Sequence, residues 1–300
     1  MTSAVLRAAR TARLTRAEPF LELTKPRIVS LVLVTIATGY VMASPAGVPA
    51  LVPLLHTLFG AALVAGGTNA LNQVLERDVD ALMRRTARRP LPSGRLSVGA
   101  ATAFAWLIGV GGIAYLAMLV NAMTALLSAA TLVSYVFLYT PLKRRTPLAT
   151  LVGAVPGALP IVGGWSAAGA SLGVEALVLF WILFLWQLPH FLALSWLYRE
   201  DYARAGLRMP SVGDPDGSLT FDQAALQAAA LIPISLAPKV LGMTGAVYFA
   251  GAALVSGWMF HAAVRARRLR TTTAVRRLFF ASLVYLPVLL VLLIADRTAQ

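Results

Sequence analysis

The sequence predicts an all-α, polytopic membrane protein built as a bundle of nine transmembrane helices. Its 300 residues are 58% hydrophobic and only 13% charged, against about 25% charged in soluble proteins. Mean hydropathy is +0.75. Such a chain cannot cover a water-facing surface, so a soluble or disordered protein is excluded. With no cysteines, disulfides, thiolate metal sites and a cysteine nucleophile are also excluded.

Apolar stretches of bilayer-spanning length give the nine helices. They are too long and too continuously apolar for barrel strands. In chain order the predicted spans are Ile28–Ala43, Leu51–Leu75, Val98–Met118, Ala122–Thr140, Leu148–Ala168, Val174–Leu197, Gln223–Val240, Gly245–Val264 and Leu278–Ala295. We therefore expect a basic cytoplasmic tail at 1–27, one transmembrane domain at 28–295 and a short tail at 296–300.

The positive charges follow the same nine-span plan. If the N-terminus is cytoplasmic, 24 of the 26 lysines and arginines fall in cytoplasmic segments. These segments are 1–27, 76–97, 141–147, 198–222 and 265–277. The net charge of +14 is then mostly a topology signal, and nucleic acid is not an expected partner. The expected surroundings are a lipid bilayer, namely a bacterial inner membrane, with the mitochondrial inner membrane less favoured.

Polar side chains form one stripe at the end of the second span. Asn69, Asn72, Gln73, Glu76 and Asp80 lie within about 100° of one another on a continuous helix, whereas Asp78 would lie on the opposite face. A lone acid at a helix end is usually just solvated. Here the amides reach back into the span, where they require a polar partner or a cation. Oxygen ligands arranged in this way suit Mg²⁺.

Basic residues follow this stripe directly. They form part of the topology signal, but arginine also grips phosphate with paired N–H donors, so cations beside a metal site would suit a diphosphate. A second basic group follows the fourth span. The predicted diphosphate ligands are Arg84, Arg85, Arg88, Arg89, Lys143, Arg144 and Arg145.

A second acidic group lies at the end of the sixth span, where Glu200 and Asp201 follow a span that contains His190. An imidazole inside a membrane needs a partner, so His190 is a functional candidate. On a continuous helix it would share a face with Gln187 and Asp201. The corresponding positions of the two acidic groups suggest a pseudo-repeated bundle with one site between its halves. His56 and His261 have no acidic companions and are interpreted as structural.

The segment Asn72-Gln-Val-Leu-Glu76-Arg-Asp-Val-Asp80 resembles the Asn-x-x-x-Asp-x-x-x-Asp motif of the intramembrane aromatic prenyltransferases, the UbiA superfamily. Three further segments resemble its haem-farnesylating branch. The resemblance spans 23–212, and its segments are Tyr139–Pro147, Gly153–Pro160 and Trp186–Trp196 continuing to Gly206. Glu76 stands where the superfamily usually has aspartate, and Glu200-Asp201 replaces the spaced aspartate pair of the quinone-type relatives.

This resemblance implies a chemistry for the candidate residues. Asn72, Glu76, Asp80 and Asp201 would bind Mg²⁺, which would bind farnesyl diphosphate. The acceptor would be a vinyl group of haem b, with His190 and Gln187 on the haem side, and the product would be haem O. Haem A synthase or a terminal oxidase assembly would be the partner. Two alternatives remain open: prenylation of an aromatic quinone precursor, and a transporter without enzymatic activity.

Overall fold

Nine helices of membrane-spanning length make up most of the fold. The computed structural model describes residues 17–45 and 49–298, and within these ranges nine helices are long and apolar enough to cross a membrane. Labelled α1 to α9, they are Pro26–Ala43, Leu51–Leu75, Val98–Leu119, Ala122–Leu142, Ala149–Ala167, Val174–Leu197, Ser218–Val240, Ala246–Leu269 and Thr272–Ala295. These ranges contain no β-strand beyond a single isolated bridge. The predicted class, a multi-pass all-α membrane protein, is confirmed.

Two spans begin earlier than their hydropathy predicts. Helix α7 starts at Ser218 rather than at Gln223, and α9 starts at Thr272 rather than at Leu278. The added turns carry charged side chains such as Asp222, which the apolar criterion rejects. A helix that extends past the apolar core keeps its backbone hydrogen bonds, so the helices are longer than their apolar segments.

The segment predicted as an N-terminal tail is partly structured. Residues 1–16 lie outside the described residues, but 17–24 form a helix against the bundle. Leu23 is fully buried. Two side chains of the α2 stripe donate to this segment, since Asn69 Nδ2 bonds the Thr24 carbonyl at 3.2 Å and Gln73 Nε2 bonds the Leu23 carbonyl at 2.9 Å. Within the predicted tail, 17–24 is therefore helical and packs on the bundle.

Glycines allow the spanning helices to pack backbone to backbone. A Cβ placed on Gly39 of α1 would lie 2.0 Å from the Ile161 carbonyl oxygen of α5, and one on Gly164 would lie 2.0 Å from the Ile36 oxygen. Helices α2 and α3 also approach closely at Gly67, where a Cβ would lie 2.6 Å from the Gly109 Cα. Lipid tails are as apolar as leucine, so helix association in a membrane depends on such close packing rather than on hydrophobic burial.

The helices form two groups around separate cores. One core lies among α2, α3 and α4, and another lies among α5 to α9. Helix α1 links the groups, since it contacts α2, α5 and α9. A small cluster of apolar side chains just beyond these helices joins the end of α2 to the end of α6 and thereby brings the two acidic segments together.

The opposite end of the bundle is closed by 296–298. Asp296 accepts a hydrogen bond from the Tyr248 amide at 2.7 Å at the start of α8. Arg297 donates to the carbonyl oxygens of Val41, in the last turn of α1, and of Ser44, just after it. The described part of the predicted C-terminal tail is thus packed on the bundle, and 299–300 lie outside the described residues.

Candidate active site

The two acidic helix ends have the same backbone plan. Helix α2 is interrupted at Glu76 (φ −97°, ψ 7°) and is followed by the six-residue helix Arg77–Leu82. Helix α6 is interrupted at Tyr198 (φ −114°, ψ 18°) and is followed by the six-residue helix Arg199–Arg204. The two short helices meet through one apolar cluster formed by Val79, Met83, Tyr202, Ala205, Leu207 and Met209. Both acidic segments therefore lie at the same end of the bundle.

The predicted polar stripe of α2 survives the interruption at Glu76. The Glu76 amide bonds the Asn72 carbonyl at 3.0 Å, and the Asp80 amide bonds the Glu76 carbonyl at 2.7 Å, so the i, i+4 spacing continues. Asn72, Glu76 and Asp80 are all buried, at 2%, 9% and 0% exposure. The Asp78 side chain is 76% exposed, as its position on the opposite helical face predicts.

Three residues of this stripe, Asn72, Glu76 and Asp80, each contact a basic side chain. Lys143 Nζ lies 2.7 Å from Glu76 Oε1, and Arg89 Nη1 lies 2.6 Å from Asp80 Oδ2. These two cations are among the predicted diphosphate ligands. The third cation is Lys25, whose Nζ donates to Asn72 Oδ1 at 3.4 Å. The sequence did not predict this contact. A lysine just before the first span has the signature of a topology charge, and nothing local distinguishes it from one.

Burial and charge act differently on the three titratable groups. Burial raises the pKa of Glu76, but Lys143 outweighs it, so the net pKa is lowered and the carboxylate is favoured. Burial also raises the pKa of Asp80, and there Arg89 only partly offsets it, so the net pKa is raised. Burial, with Arg89 and Lys143 nearby, lowers the pKa of Lys25 to about 7. Of the two carboxylates, Asp80 is therefore the one whose ionised form an additional positive charge would stabilise more.

The C-terminal part of α4 positions Lys143. This helix changes to π-helical geometry over Ser134–Tyr139, and the Thr140 hydroxyl donates to the Tyr135 carbonyl at 2.8 Å. That hydroxyl also accepts from Asn72 Nδ2 at 3.1 Å, which ties α4 to the stripe. Lys143 then stacks over the Tyr139 ring at 4.4 Å. π-helical turns are frequent at functional sites, where they redirect side chains.

Most of the other predicted basic ligands are exposed. Arg84, Arg88, Arg144 and Arg145 extend into solvent. Arg85 is also exposed, but it links the two acidic segments. Its guanidinium lies 5.3 Å from the Tyr198 ring and 5.5 Å from the Tyr202 ring, and it donates to the Tyr202 hydroxyl at 3.4 Å.

The second acidic segment does not join the first in a single ligand cluster. Asp201 is paired with Arg204 at 2.8 Å on its own short helix. Within 17–45 and 49–298, no three acidic or histidine side chains converge as a metal site. One feature of the α2 stripe does fit Mg²⁺ binding: Asp80 Oδ1 is buried without a hydrogen-bond partner. A buried anionic oxygen of this kind suits a hard divalent cation.

Gln187 and His190 lie on one side of α6 but contact different neighbouring helices. Gln187 Nε2 donates to the Ala154 carbonyl of α5 at 2.8 Å. His190 Nδ1 lies 2.8 Å from Ser282 Oγ of α9. The two residues are 60° apart around α6, and that angle is enough for each to meet a separate helix.

The hydrogen bonds around His190 determine which ring nitrogen carries the proton. Ser282 Oγ donates its one hydrogen to the Phe279 carbonyl at 2.6 Å, so it accepts from His190 Nδ1–H. Neutral His190 then has a lone pair on Nε2. The ring is stacked between Trp186 and Phe279, with centroids at 5.4 and 4.9 Å. His56 contacts the Tyr115 hydroxyl at 2.7 Å, and no contact joins it to the stripe or to His190.

Comparison with known proteins agrees with this arrangement of helices. Residues 32–284 match the UbiA prenyltransferase family. The chain belongs to the UbiA prenyltransferase family. It is 47% identical over 286 residues to a protein named protoheme IX farnesyltransferase from Solibacter usitatus, covering 93% of this chain and 98% of that protein.

Two solved structures show the same fold. A digeranylgeranylglyceryl phosphate synthase superposes with a TM-score of 0.80 at 15% identity, covering 94% of this chain and 98% of that one. A UbiA homologue from Archaeoglobus fulgidus bound to GPP and Mg²⁺ superposes with a TM-score of 0.64 at 17% identity, covering 92% of this chain and 99% of that one. At these identities the likeness concerns the fold alone.

Proposed function

We propose that this chain is an enzyme that transfers the farnesyl group of farnesyl diphosphate to a vinyl group of haem b, giving haem O and diphosphate. The relatives named protoheme IX farnesyltransferase support the reaction. The observation that carries it is the buried stripe of Asn72, Glu76 and Asp80 facing Lys25, Arg89 and Lys143. An anion-and-cation arrangement of this kind suits a metal diphosphate, and a transporter does not require it.

The same stripe would hold Mg²⁺ through Asn72, Glu76 and Asp80, with Asp201 contributing from the second acidic segment. Support comes from the unpartnered Asp80 Oδ1 and from the related protein bound to GPP and Mg²⁺. When bound, the ion supplies positive charge that neutralises the diphosphate oxygens.

The basic side chains stabilise the leaving group. As the farnesyl C–O bond breaks, negative charge develops on the diphosphate, and Lys143 and Arg89 donate hydrogen bonds to its oxygens. Arg85 would close over the same group, because it already joins the two acidic segments. The apolar bundle keeps bulk water from the allylic cation.

The acceptor then closes the reaction. The vinyl group of haem b attacks the allylic cation and forms the new C–C bond, water adds to the resulting haem-side cation, and a proton is released. His190 orients the haem in this step, since its Nε2 lone pair is a common iron ligand. Residue 190 lies eleven positions before Asp201, about 16 Å along a helix, so it contacts the ring rather than the phosphates.

The decisive experiment is mass spectrometry of haems extracted from membranes that express the chain. Wild type should produce haem O, and Asp80→Asn, inserted at the same level, should not. Asp78→Asn is the matched control, because it removes an exposed carboxylate two residues away. A farnesylated quinone precursor without haem O would assign the enzyme to the alternative acceptor. No diphosphate release with any acceptor would favour a transporter.

Orientation in the membrane has its own test. We propose a bacterial inner membrane with the N-terminus and the acidic segments on the cytoplasmic side, and haem A synthase or a terminal oxidase assembly as the partner that receives haem O. The chain has no cysteine, so single cysteines at the exposed positions Arg84 and Ala203 can be labelled from one side. Labelling from opposite sides would contradict the shared site.

A further inference from the structure

A groove between α8 and α9 lies outside the candidate active site. It has a volume of about 360 Å³. Its walls are Trp258, His261 and Arg265 of α8 and Ala274, Arg277 and Phe280 of α9. These positions recur about once per helical turn, so each helix contributes one face. The groove lies at the end of the bundle that carries the acidic segments.

The six arginines at 265–277 differ in their ion pairing. Arg267 pairs with Asp222 of α7 at 2.5 Å, and Arg270 pairs with Asp216 of the loop before α7 at 2.7 Å, so both arginines are neutralised. Arg265 and Arg277 take part in none of the ion pairs formed among the described residues. Both are exposed, and both line the groove. The groove is therefore a concentration of uncompensated positive charge.

Polarity changes along the groove in the direction of the helix axes. The arginines are nearest the helix ends, whereas Trp258 and Phe280 lie farther into the spans and are 41% and 60% exposed. Trp258 lies near the midpoint of α8 and Phe280 about two turns into α9, at the depth of acyl chains rather than of head groups. The occupant should have an anionic head and an apolar body that enters the bilayer.

We propose that this groove binds the phosphate group of an anionic phospholipid. Arg265 and Arg277 grip the phosphate oxygens, His261 adds a hydrogen bond, and an acyl chain lies along Trp258 and Phe280. Haem, which is also anionic and apolar, fits less well. Trp258 and Phe280 meet edge to face, at 80° with centroids 6.4 Å apart, and so present no pair of parallel faces to a porphyrin.

The test is native mass spectrometry of the full chain in mild detergent, titrated with phosphatidylglycerol and separately with phosphatidylcholine. The wild type should bind one phosphatidylglycerol in preference to phosphatidylcholine. Arg265→Gln/Arg277→Gln should weaken that binding about 30-fold. Arg268→Gln/Arg276→Gln removes the same charge from exposed residues outside the groove, and it should change affinity less than about threefold. Arg265→Lys/Arg277→Lys should retain most of the affinity.

Several outcomes would overturn the proposal. Equal losses in the two glutamine variants would show only a general attraction of the basic surface for anionic lipid. Equal affinity for the two lipids would show that the groove does not recognise the anionic head group. If inorganic phosphate displaced the bound lipid at the lipid's own concentration, the acyl chain would contribute nothing to binding. If haem displaced it, the groove would be a substrate site. None of these readouts depends on farnesyl transfer.

Discussion

The ends of α2 and α6 are alike in backbone and unlike in environment. Each helix is interrupted near its end and continues into a six-residue helix with acidic residues. At the first, Glu76 is buried and paired with a lysine 67 residues away. At the second, Asp201 pairs with Arg204 three residues away. The same backbone arrangement thus gives a preformed, buried charge site after α2 but an acid paired within its own short helix after α6. The difference arises because α4 places Lys143 only over the segment that follows α2.

The sharpest test of this contrast is Asp80→Asn, which keeps the shape and removes the charge. Its Oδ1 has no partner, so this residue is the strongest metal ligand candidate. We expect a loss of at least about 100-fold in turnover. Steady-state assay of haem O formation measures it, with Asp78→Asn as the exposed control. Equal losses in the two variants would refute the buried stripe.

Lys143→Met tests whether the charges at α2 are mutually dependent. It leaves Glu76 buried without its cation, and we expect a loss of about 3 kcal/mol in the free energy of unfolding, with weaker farnesyl diphosphate binding. Glu76→Gln/Lys143→Met removes both charges and should recover much of the stability but none of the activity. Denaturant unfolding in detergent reports the first effect. A stable single variant would show that the pair is not buried.

Asp201→Asn should have a smaller effect on stability than any change at Glu76 or Asp80. Its partner Arg204 is partly exposed, and such pairs contribute less than about 1 kcal/mol. Turnover should nevertheless fall about 10-fold or more if Asp201 contributes to metal binding. Comparing turnover with thermal stability separates the two roles. Unchanged turnover would confine the metal site to the end of α2.

The smallest expected effect comes from Ser282→Ala, which acts on α6 far from its acidic end. Without the serine oxygen, His190 loses the acceptor that fixes its Nδ1 proton. We expect a few-fold loss of haem farnesylation and an altered visible spectrum of bound haem, with unchanged farnesyl diphosphate binding. The conservative variant Ser282→Thr should restore the spectrum. If diphosphate binding changes as well, the serine has only a structural role.

Local patterns in the sequence predict much of this molecule. Hydropathy predicts nine spans, and helical spacing predicts that Asp78 faces away from Glu76 and Asp80. Contacts between residues far apart in the sequence could not be predicted from these local patterns. Lys25 looks like a topology charge until the fold places it on Asn72, and the π-helical turn that aims Lys143 has no local signature. Gln187 and His190 share a helical face in projection, yet the packing of α5 and α9 separates them.

Arg297 connects the end of the ninth helix to the end of the first. The residue that it contacts at Val41 lies 256 positions earlier. At ribosomal rates of about 5–20 residues per second, α1 enters the membrane on the order of tens of seconds before this partner is made. During that interval the far end of α1 is a newly inserted helix with incomplete contacts. The bundle is therefore completed late in biogenesis, when Arg297 contacts the end of α1.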